Sequence, residues 1–174
     1  MTHMTAADVA PLLGLVPHPH EGGCYIRTWE SGEMLPPSAF ADNRYPGPRH
    51  TSTAIYYLLE PHTFSEIHRL RSDEIFHFYA GSPVEMLQLE EQGSGRVLRI
   101  GTDIAANERP QAVVPRGVWQ GSHLVPGGDW ALLGCTVSPG FEFDDYETAT
   151  RADLCTRWPA FKTLITALTP PDGP

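Results

Sequence analysis

Prolines and glycines divide this sequence into short apolar runs along its whole length. The chain of 174 residues contains 17 prolines and 16 glycines, and these are spread out instead of clustered. A proline inside a helix removes a backbone hydrogen bond and clashes with the preceding turn, so a long helical bundle would not tolerate this spacing. Short apolar runs separated by turn residues are instead typical of an all-β protein.

The runs between these turn residues have the composition of strands, because β-branched and aromatic residues are frequent in them. The predicted strands are Cys24–Trp29, Thr51–Leu59, Thr63–Leu70, Glu74–Tyr79, Val84–Leu89, Val97–Ile100, Gln111–Val114, Trp119–Leu124 and Trp130–Val137. Short amphipathic helices are predicted at Thr5–Leu15 and Pro159–Leu168, and a long surface loop at Ser31–Pro48. This pattern predicts one domain over residues 1–174, a closed barrel or a double-sheet jelly roll, since both protect their strand edges.

Charge and cysteine content limit the classes of partner. The formal net charge is -9, which disfavours nucleic acid and anionic membrane as partners. No apolar run approaches the roughly 20 residues needed to span a bilayer, and no signal peptide is recognisable. The 3 cysteines are widely spaced and form no CxxC pair, which favours free thiols over a disulfide framework or a zinc site. We therefore expect a cytoplasmic protein.

The segment Phe64–Gly81 combines histidines, acids, arginines and aromatic residues in one short stretch. Apolar and ionisable residues alternate in it, as expected for paired strands with one face lining a pocket. The segment resembles the first motif of cupins, G-x5-H-x-H-x3-4-E-x6-G, with His68, Glu74 and Gly81 in their places. Leu70 replaces the second histidine. Pro115-x-Gly117 resembles the start of the second cupin motif, P-x-G-x2-H, whose histidine falls on Gln120.

A more specific resemblance, from Val9 to Leu168, is to the uncharacterised cupin-5 proteins of bacteria and fungi. The stretches that carry it are Pro17–Gly23, Thr53–Leu59, His68–Gly81, Val113–Gln120 and Gly134–Glu147. The resemblance implies an all-β cupin jelly-roll barrel with short terminal helices, paired as a homodimer. It implies no established reaction. The nearest functional analogy is the dTDP-4-dehydrorhamnose 3,5-epimerase type of cupin, which uses acid-base chemistry without a metal.

The motif positions disfavour a tightly bound metal, because such a site needs three or four N, O or S ligands around one point. His68 and Glu74 are strong ligands, Leu70 is none, and the amide oxygen of Gln120 is a poor one. His77 lies three residues after Glu74, so on a regular strand it faces the opposite side unless a β-bulge intervenes. We expect no cofactor, and a divalent metal held by His68, Glu74, Gln120 and His77 remains the alternative.

Without a metal, His68 and Glu74 are the candidate catalytic pair. Histidine titrates near working pH, and an apolar environment raises the pKa of a buried glutamate. The alternative is that the two side chains only satisfy each other as a buried polar pair. The predicted substrate-binding residues are Tyr56, Gln120, Arg71, Phe76, Phe78, Trp119 and Tyr25. Among these, Arg71 either holds an anionic group of the substrate or belongs to a surface ion-pair cluster.

Two further segments stay open from the sequence. The N-terminal stretch with His18, Glu21, Tyr25 and Arg27 either covers the barrel mouth or leads into a packed strand. The acidic stretch around Tyr146 either caps a loop or reaches the pocket.

The sequence favours a small-molecule enzyme that performs isomerisation, epimerisation or related proton transfer next to a carbonyl. A metal-dependent oxygenase or lyase and a non-catalytic metabolite binder are the alternatives.

Overall fold

The computed structural model describes residues 4–40 and 42–171. The helices are α1 (Ala6–Leu13), α2 (Arg151–Arg157) and α3 (Lys162–Ala167). The strands are β1 (Val16–Pro17), β2 (Cys24–Glu30), β3 (Met34–Leu35), β4 (Arg49–His50), β5 (Thr53–Leu59), β6 (Phe64–Arg69), β7 (Asp73–Gly81), β8 (Val84–Leu89), β9 (Gly95–Ile100), β10 (Gln111–Val114), β11 (Trp119–Leu124), β12 (Ala131–Ser138) and β13 (Glu147–Thr148).

Two antiparallel sheets face each other in a jelly roll. One sheet has the order β1-β2-β5-β12-β7-β10, and the other has the order β13-β6-β11-β8-β9. Strands β3 and β4 form a separate short pair within the long loop. Most strands pair with partners distant in sequence, so β12 lies between β5 and β7, and β13 forms an edge of the five-stranded sheet beside β6.

The main core lies between the two sheets. Alternate residues of β7 enter it, so Glu74 and Phe76 are buried whereas Asp73 and Tyr79 are exposed. Burial of Phe76 with Met86, Leu133 and their neighbours removes apolar surface from water, which stabilises the sandwich by roughly 1.5–3 kcal/mol for each large side chain.

The helices cover parts of the outer sheet faces. Helices α2 and α3 pack Leu154, Trp158 and Ile165 against the outer face of the five-stranded sheet. Helix α1 packs Val9 against Leu58 on the outer face of the six-stranded sheet. The rest of that second face remains without a covering helix among the described residues.

The sequence predicted this architecture. The all-β jelly roll with a helix towards each end is confirmed, and each of the nine predicted strands is present with bounds that differ by a few residues. The sequence did not predict β1, β4, α2 or β13, and the predicted loop contains β3 and a 3-10 turn at Pro37–Ala39. Within residues 4–40 and 42–171, no helix has the length and apolar character needed to cross a bilayer.

Gly81, which closes the first cupin motif, provides a test of this fold. It has a φ of +96°, and a Cβ atom there would collide with the backbone carbonyl of Trp130. We expect Gly81→Ala to lower the free energy of unfolding by about 2 kcal/mol or more, as measured by denaturant titration. Gly32→Ala is the control, because nothing lies within 4 Å of its added methyl group. Equal effects of the two substitutions would contradict this account.

Candidate functional site

A cavity of about 330 Å³ opens where strands of both sheets end. Its walls are mainly apolar, and include Tyr25, Ile55, Val137, Phe141 and Phe143. Five histidine and glutamate side chains also line it, namely His18, Glu21, His68, Glu74 and Glu142. An apolar pocket with a few placed polar groups is the usual form of a small-molecule site.

Gln120 connects His68 and Glu74. It lies opposite His68 in the β11–β6 register, within the five-stranded sheet, whereas Glu74 begins the inward face of β7 in the other sheet. The Gln120 Nε2 atom is 3.3 Å from His68 Nε2 and donates a short hydrogen bond to Glu74 Oε2. One amide group thus holds both candidate catalytic side chains and joins the two sheets.

Hydrogen bonding determines the tautomer of His68. Its Nδ1 lies 2.7 Å from the carbonyl oxygen of Glu66, which can only accept, so Nδ1 carries the proton. In the neutral ring Nε2 is then the unprotonated nitrogen and accepts from Gln120. The ring is 2% exposed but still lines the cavity. His68 therefore presents a basic nitrogen at the site.

Burial changes the pKa of Glu74, which is only 6% exposed. Removal from water disfavours the charged carboxylate and raises the pKa of Glu74 from 4.5 to about 7. Attraction to His68 and hydrogen bonds from Gln120 and Cys135 act in the opposite direction. Because this pKa lies near neutrality, the carboxyl group can both accept and donate a proton at working pH.

A second histidine–glutamate pair lies on the segment between β1 and β2. The backbone N–H of Glu21 donates to His18 Nδ1 at 2.8 Å, so the proton of the neutral ring is on Nε2. That Nε2 lies 3.7 Å from Glu21 Oε2. Burial lowers the pKa of His18, although the Glu21 charge opposes this effect. His18 is therefore a neutral N–H donor, the opposite tautomer to His68.

Two glycines permit this segment to approach the sheets. Gly23 has a φ of +67°, and a Cβ atom on it would lie 2.6 Å from the carbonyl oxygen of Leu58. The carbonyl of Gly22 accepts a hydrogen bond from Tyr57 Oη at 2.8 Å. The backbone of Glu66 donates to the carbonyl of Glu21, also at 2.8 Å. These bonds fix His18 and Glu21 against the cavity.

Tyr146 and Asp145 have different roles in the acidic stretch. The Tyr146 ring stacks on His68 with centroids 4.7 Å apart, and burial raises the pKa of its hydroxyl group. Asp145 is buried and accepts two hydrogen bonds from Arg49, at 2.7 and 2.8 Å. The stretch therefore reaches the site through Tyr146 and is anchored by Asp145.

Three other sequence-predicted positions lie at the site. Tyr25 forms part of the cavity wall, and Leu70 lines the cavity where the cupin motif has its second histidine. Gln120 contacts both His68 and Glu74. The structure thus brings together His68, Glu74, Gln120 and Tyr25, and their catalytic and binding roles stay predictions.

Tyr56 and His77 lie on the opposite face of the six-stranded sheet. Ile55 and Tyr57 point inwards, so Tyr56 points outwards, where its ring contacts Tyr79 at 5.8 Å between centroids. His77 contacts Thr136 Oγ1 at 3.2 Å on the same outer face. The predicted ligand contact of Tyr56 is therefore not supported by its position. The expected homodimer stays a prediction.

Phe76, Phe78, Trp119 and Arg71 were predicted to bind substrate, but none of them lines the cavity. Phe76 is buried in the core between the sheets, and Phe78 packs against that core. Trp119 belongs to the core beneath the C-terminal helices. Arg71 lines a separate, charged cavity. Strand alternation determines the orientations of Phe76, Phe78 and Trp119, and Arg71 lies in the turn between β6 and β7. Composition alone does not show these orientations.

The site residues do not fit a transition metal. His77 faces away from His68 and Glu74, since the bulge in the β12–β7 pairing lies beyond it and does not turn it inwards. Within the described part of the chain, no three His, Cys, Asp or Glu side chains are placed to share a metal ion. One imidazole, one carboxylate and one amide form a weaker donor set than cupin metal sites use.

The sequence did not identify Cys135 as a site residue and left His18 and Glu21 open. Cys135 is buried, which raises the pKa of its thiol, and it lines the cavity beside Glu74. Its position follows from strand alternation, because Leu133, Cys135 and Val137 share the inward face of β12. The sequence signals for His18 and Glu21 were their place in a stretch that resembles cupin-5 proteins and the pair Gly22-Gly23, which indicated a close backbone approach.

Comparison with known proteins places the chain among uncharacterised relatives. Protein SO0799 from Shewanella oneidensis is 34% identical, with a TM-score of 0.86, over 98% of this chain and 100% of that one. A hypothetical protein from Leishmania major is 30% identical, with a TM-score of 0.85, over 95% and 99%. Uncharacterized protein YML079W of Saccharomyces cerevisiae is 29% identical over 140 residues, 76% of this chain and 69% of that protein.

A more distant similarity concerns the fold alone. Oxalate decarboxylase from Bacillus subtilis, described for its Mn(II) centres, superposes with a TM-score of 0.52 at 12% identity over 97% of this chain and 40% of its own.

Residues 7–149 match the family described as "Cupin_5: Cupin superfamily (DUF985)". The protein therefore belongs to the Cupin_5 family of the cupin superfamily.

Proposed function

We propose that this protein is a small-molecule enzyme that transfers protons next to a carbonyl group by acid-base chemistry, without a bound metal. One observation carries the proposal: the buried carboxyl group of Glu74 lines an apolar cavity, and its pKa is raised to about 7. Groups with such perturbed pKa values in clefts are frequent at catalytic centres. The reaction class is isomerisation or epimerisation.

Glu74 and His68 act as one proton-handling unit in this proposal. The ionised Glu74 removes a proton from the carbon next to the substrate carbonyl, and the protonated form returns it to the rearranged product. Gln120 holds the carboxylate through its hydrogen bond, and His68 supplies a second basic nitrogen on the same amide. General acid-base groups of this kind contribute about 100- to 10,000-fold to rate.

His18 supplies the complementary donor. Its Nε2–H is fixed by the backbone bond at Nδ1 and is neutral at pH 7, because burial lowers its pKa. A neutral N–H group beside an apolar cavity can stabilise the negative charge that develops on a carbonyl oxygen when the neighbouring carbon loses its proton. The two histidines thus have distinct roles: His68 accepts and His18 donates.

The cavity limits the substrate class. Its volume of about 330 Å³ lies at the small end of known ligand pockets. Arg27 and Glu142, both partly exposed, pair at 3.9 Å and also line the cavity. We infer a small oxygenated molecule, such as a sugar-like hydroxy ketone or a short 2-oxo acid.

Solvent hydrogen exchange tests the proposed chemistry directly. In D₂O, the protein is incubated with a panel of hydroxy ketones, aldoses and 2-oxo acids, and deuterium uptake at the carbon next to the carbonyl is measured by NMR. We expect catalysed uptake with at least one compound, at a rate that rises as pH passes through about 7 and Glu74 ionises. Glu74→Gln should lower this rate by about 100-fold or more.

Tyr56→Phe is the matched control for the exchange experiment, because the Tyr56 hydroxyl group lies on the other face of the sheet. It should leave the rate unchanged. Full exchange activity in Glu74→Gln combined with His68→Ala would refute the proposed roles. A compound that raises the melting temperature of the wild-type protein but shows no exchange would instead identify a binding protein.

The raised pKa of Glu74 also predicts a pH dependence of stability. In the folded protein this carboxyl group holds its proton more tightly than in the unfolded chain, where its pKa is near 4.5. Its contribution is therefore fully present below pH 4.5 and is lost as pH rises towards 7. Relative to Glu74→Gln, the wild-type protein should lose about 3 kcal/mol of unfolding free energy across this range.

Denaturant titrations at several pH values measure this difference. Glu33→Gln serves as the control, since Glu33 is exposed and its substitution should leave the pH profile of the wild-type protein intact. Parallel stability profiles of wild type and Glu74→Gln from pH 4.5 to 7 would show that the carboxyl group has an ordinary pKa.

The metal alternative can be tested by restoring the cupin ligands. Leu70→His combined with Gln120→His gives the site three imidazoles and one carboxylate, so it should bind about one equivalent of Zn²⁺. Leu70→Ala combined with Gln120→Ala is the control and should bind none. We expect the wild-type protein, purified without chelator, to contain less than about a tenth of an equivalent. A full equivalent of metal that is lost in Glu74→Gln would favour the metal-dependent alternative.

A further inference from the structure

A second cavity, of about 310 Å³, lies beside the first and is highly charged. Four arginines line it, Arg44, Arg69, Arg71 and Arg116, although the chain has only 12 basic residues and a net charge of -9. Three carboxylates, those of Asp42, Asp145 and Glu147, line it as well. The pairing among these groups determines whether the cavity is a closed ion-pair network or has cationic groups available.

Arg71 has no carboxylate of its own. Its Nε lies 4.0 Å from Asp145 Oδ1, but both oxygens of Asp145 already accept closer bonds from Arg49. The Nη1 of Arg71 donates to the carbonyl oxygen of Arg44, which carries no formal charge. The Arg71 side chain is 49% exposed, so the remaining N–H groups face accessible space.

Arg44 and Arg116 share a single carboxylate. Their Nη1 atoms lie 3.3 and 3.2 Å from the two oxygens of Asp42. The Arg116 side chain is 51% exposed, and the buried Nε of Arg44 has no hydrogen-bond partner among residues 4–40 and 42–171. Two guanidinium groups on one carboxylate leave one positive charge that Asp42 does not balance, although Arg44 also lies over the Phe40 and Tyr45 rings, 4.9 and 5.0 Å from their centroids.

Arg69 differs, because acidic side chains match it. It donates to both oxygens of Glu147, at 2.7 and 2.9 Å, and lies 3.6 Å from Glu91. Arg69 therefore belongs to a closed ion-pair network. The excess positive charge of the cavity resides on Arg71 and on the Arg44–Arg116 pair.

We propose that this second cavity binds the oxyanion group of a small molecule, a phosphate or a carboxylate, through Arg71, Arg116 and Arg44. Guanidinium groups suit such groups because they donate parallel N–H bonds to adjacent oxygens. The buried side chain of Leu70 lines both cavities and separates this site from Glu74. The oxyanion site is therefore distinct from the proposed catalytic cavity.

Calorimetric titration at constant ionic strength tests the site, with inorganic phosphate and malonate as separate probes and chloride as the reference. We expect saturable binding of one equivalent of phosphate or malonate, and the tighter of the two identifies the class of anion. Arg71→Gln combined with Arg116→Gln should weaken binding by about tenfold or more. Arg99→Gln combined with Arg157→Gln is the charge-matched control on exposed arginines elsewhere and should bind as the wild type does.

Asp42→Asn provides a test of opposite sign, which loss of folding cannot mimic. It removes the carboxylate that competes for Arg44 and Arg116, so the anion should bind several-fold more tightly. Absence of saturable binding of both probes to the wild-type protein would overturn the proposal. The proposal would also be overturned if the Arg71→Gln and Arg116→Gln double variant bound the anion as tightly as the wild-type protein does. Weaker binding by Asp42→Asn than by the wild-type protein would overturn it too.

Discussion

The amide group of Gln120 is the interaction on which the candidate site depends. It is held on the five-stranded sheet and bonds both His68, on the same sheet, and Glu74, on the facing sheet. A buried carboxyl group needs hydrogen-bond partners, and the sandwich provides the neutral side chains of Gln120 and Cys135. Glu74 therefore keeps an orientation fixed by both sheets, and burial raises its pKa to about 7 although attraction to His68 and these hydrogen bonds act to lower it.

Much of the fold could be predicted because strand alternation and turn residues are local signals. The resemblance to the two cupin motifs also implied the proximity of His68, Glu74 and Gln120. Orientation was harder where apolar residues are consecutive, as around Tyr56, because either face of the strand is then a plausible inner face. Ile55 and Tyr57 point into the core, and this directs Tyr56 outwards.

Other parts of the site depend on contacts that no local pattern encodes. His18 and Glu21 reach the cavity because a segment before β2 crosses to β6, where the backbone of Glu66 bonds that of Glu21. Tyr146 reaches His68 because the buried pair of Arg49 and Asp145 anchors its loop. Such positions follow from tertiary structure, so the sequence left them open.

Leu70 has a consequence for electrostatics. Its apolar side chain stands between the carboxyl group of Glu74 and the arginine-lined cavity. A low-dielectric partition excludes water, and the charges on either side of it stay in separate solvent environments. A histidine at the same position, as in metal-binding cupins, would be polar and would join the two compartments. Replacement of a ligand by leucine thus removes a polar neighbour and adds an apolar wall, which contributes to the burial that raises the affinity of the Glu74 carboxyl group for protons.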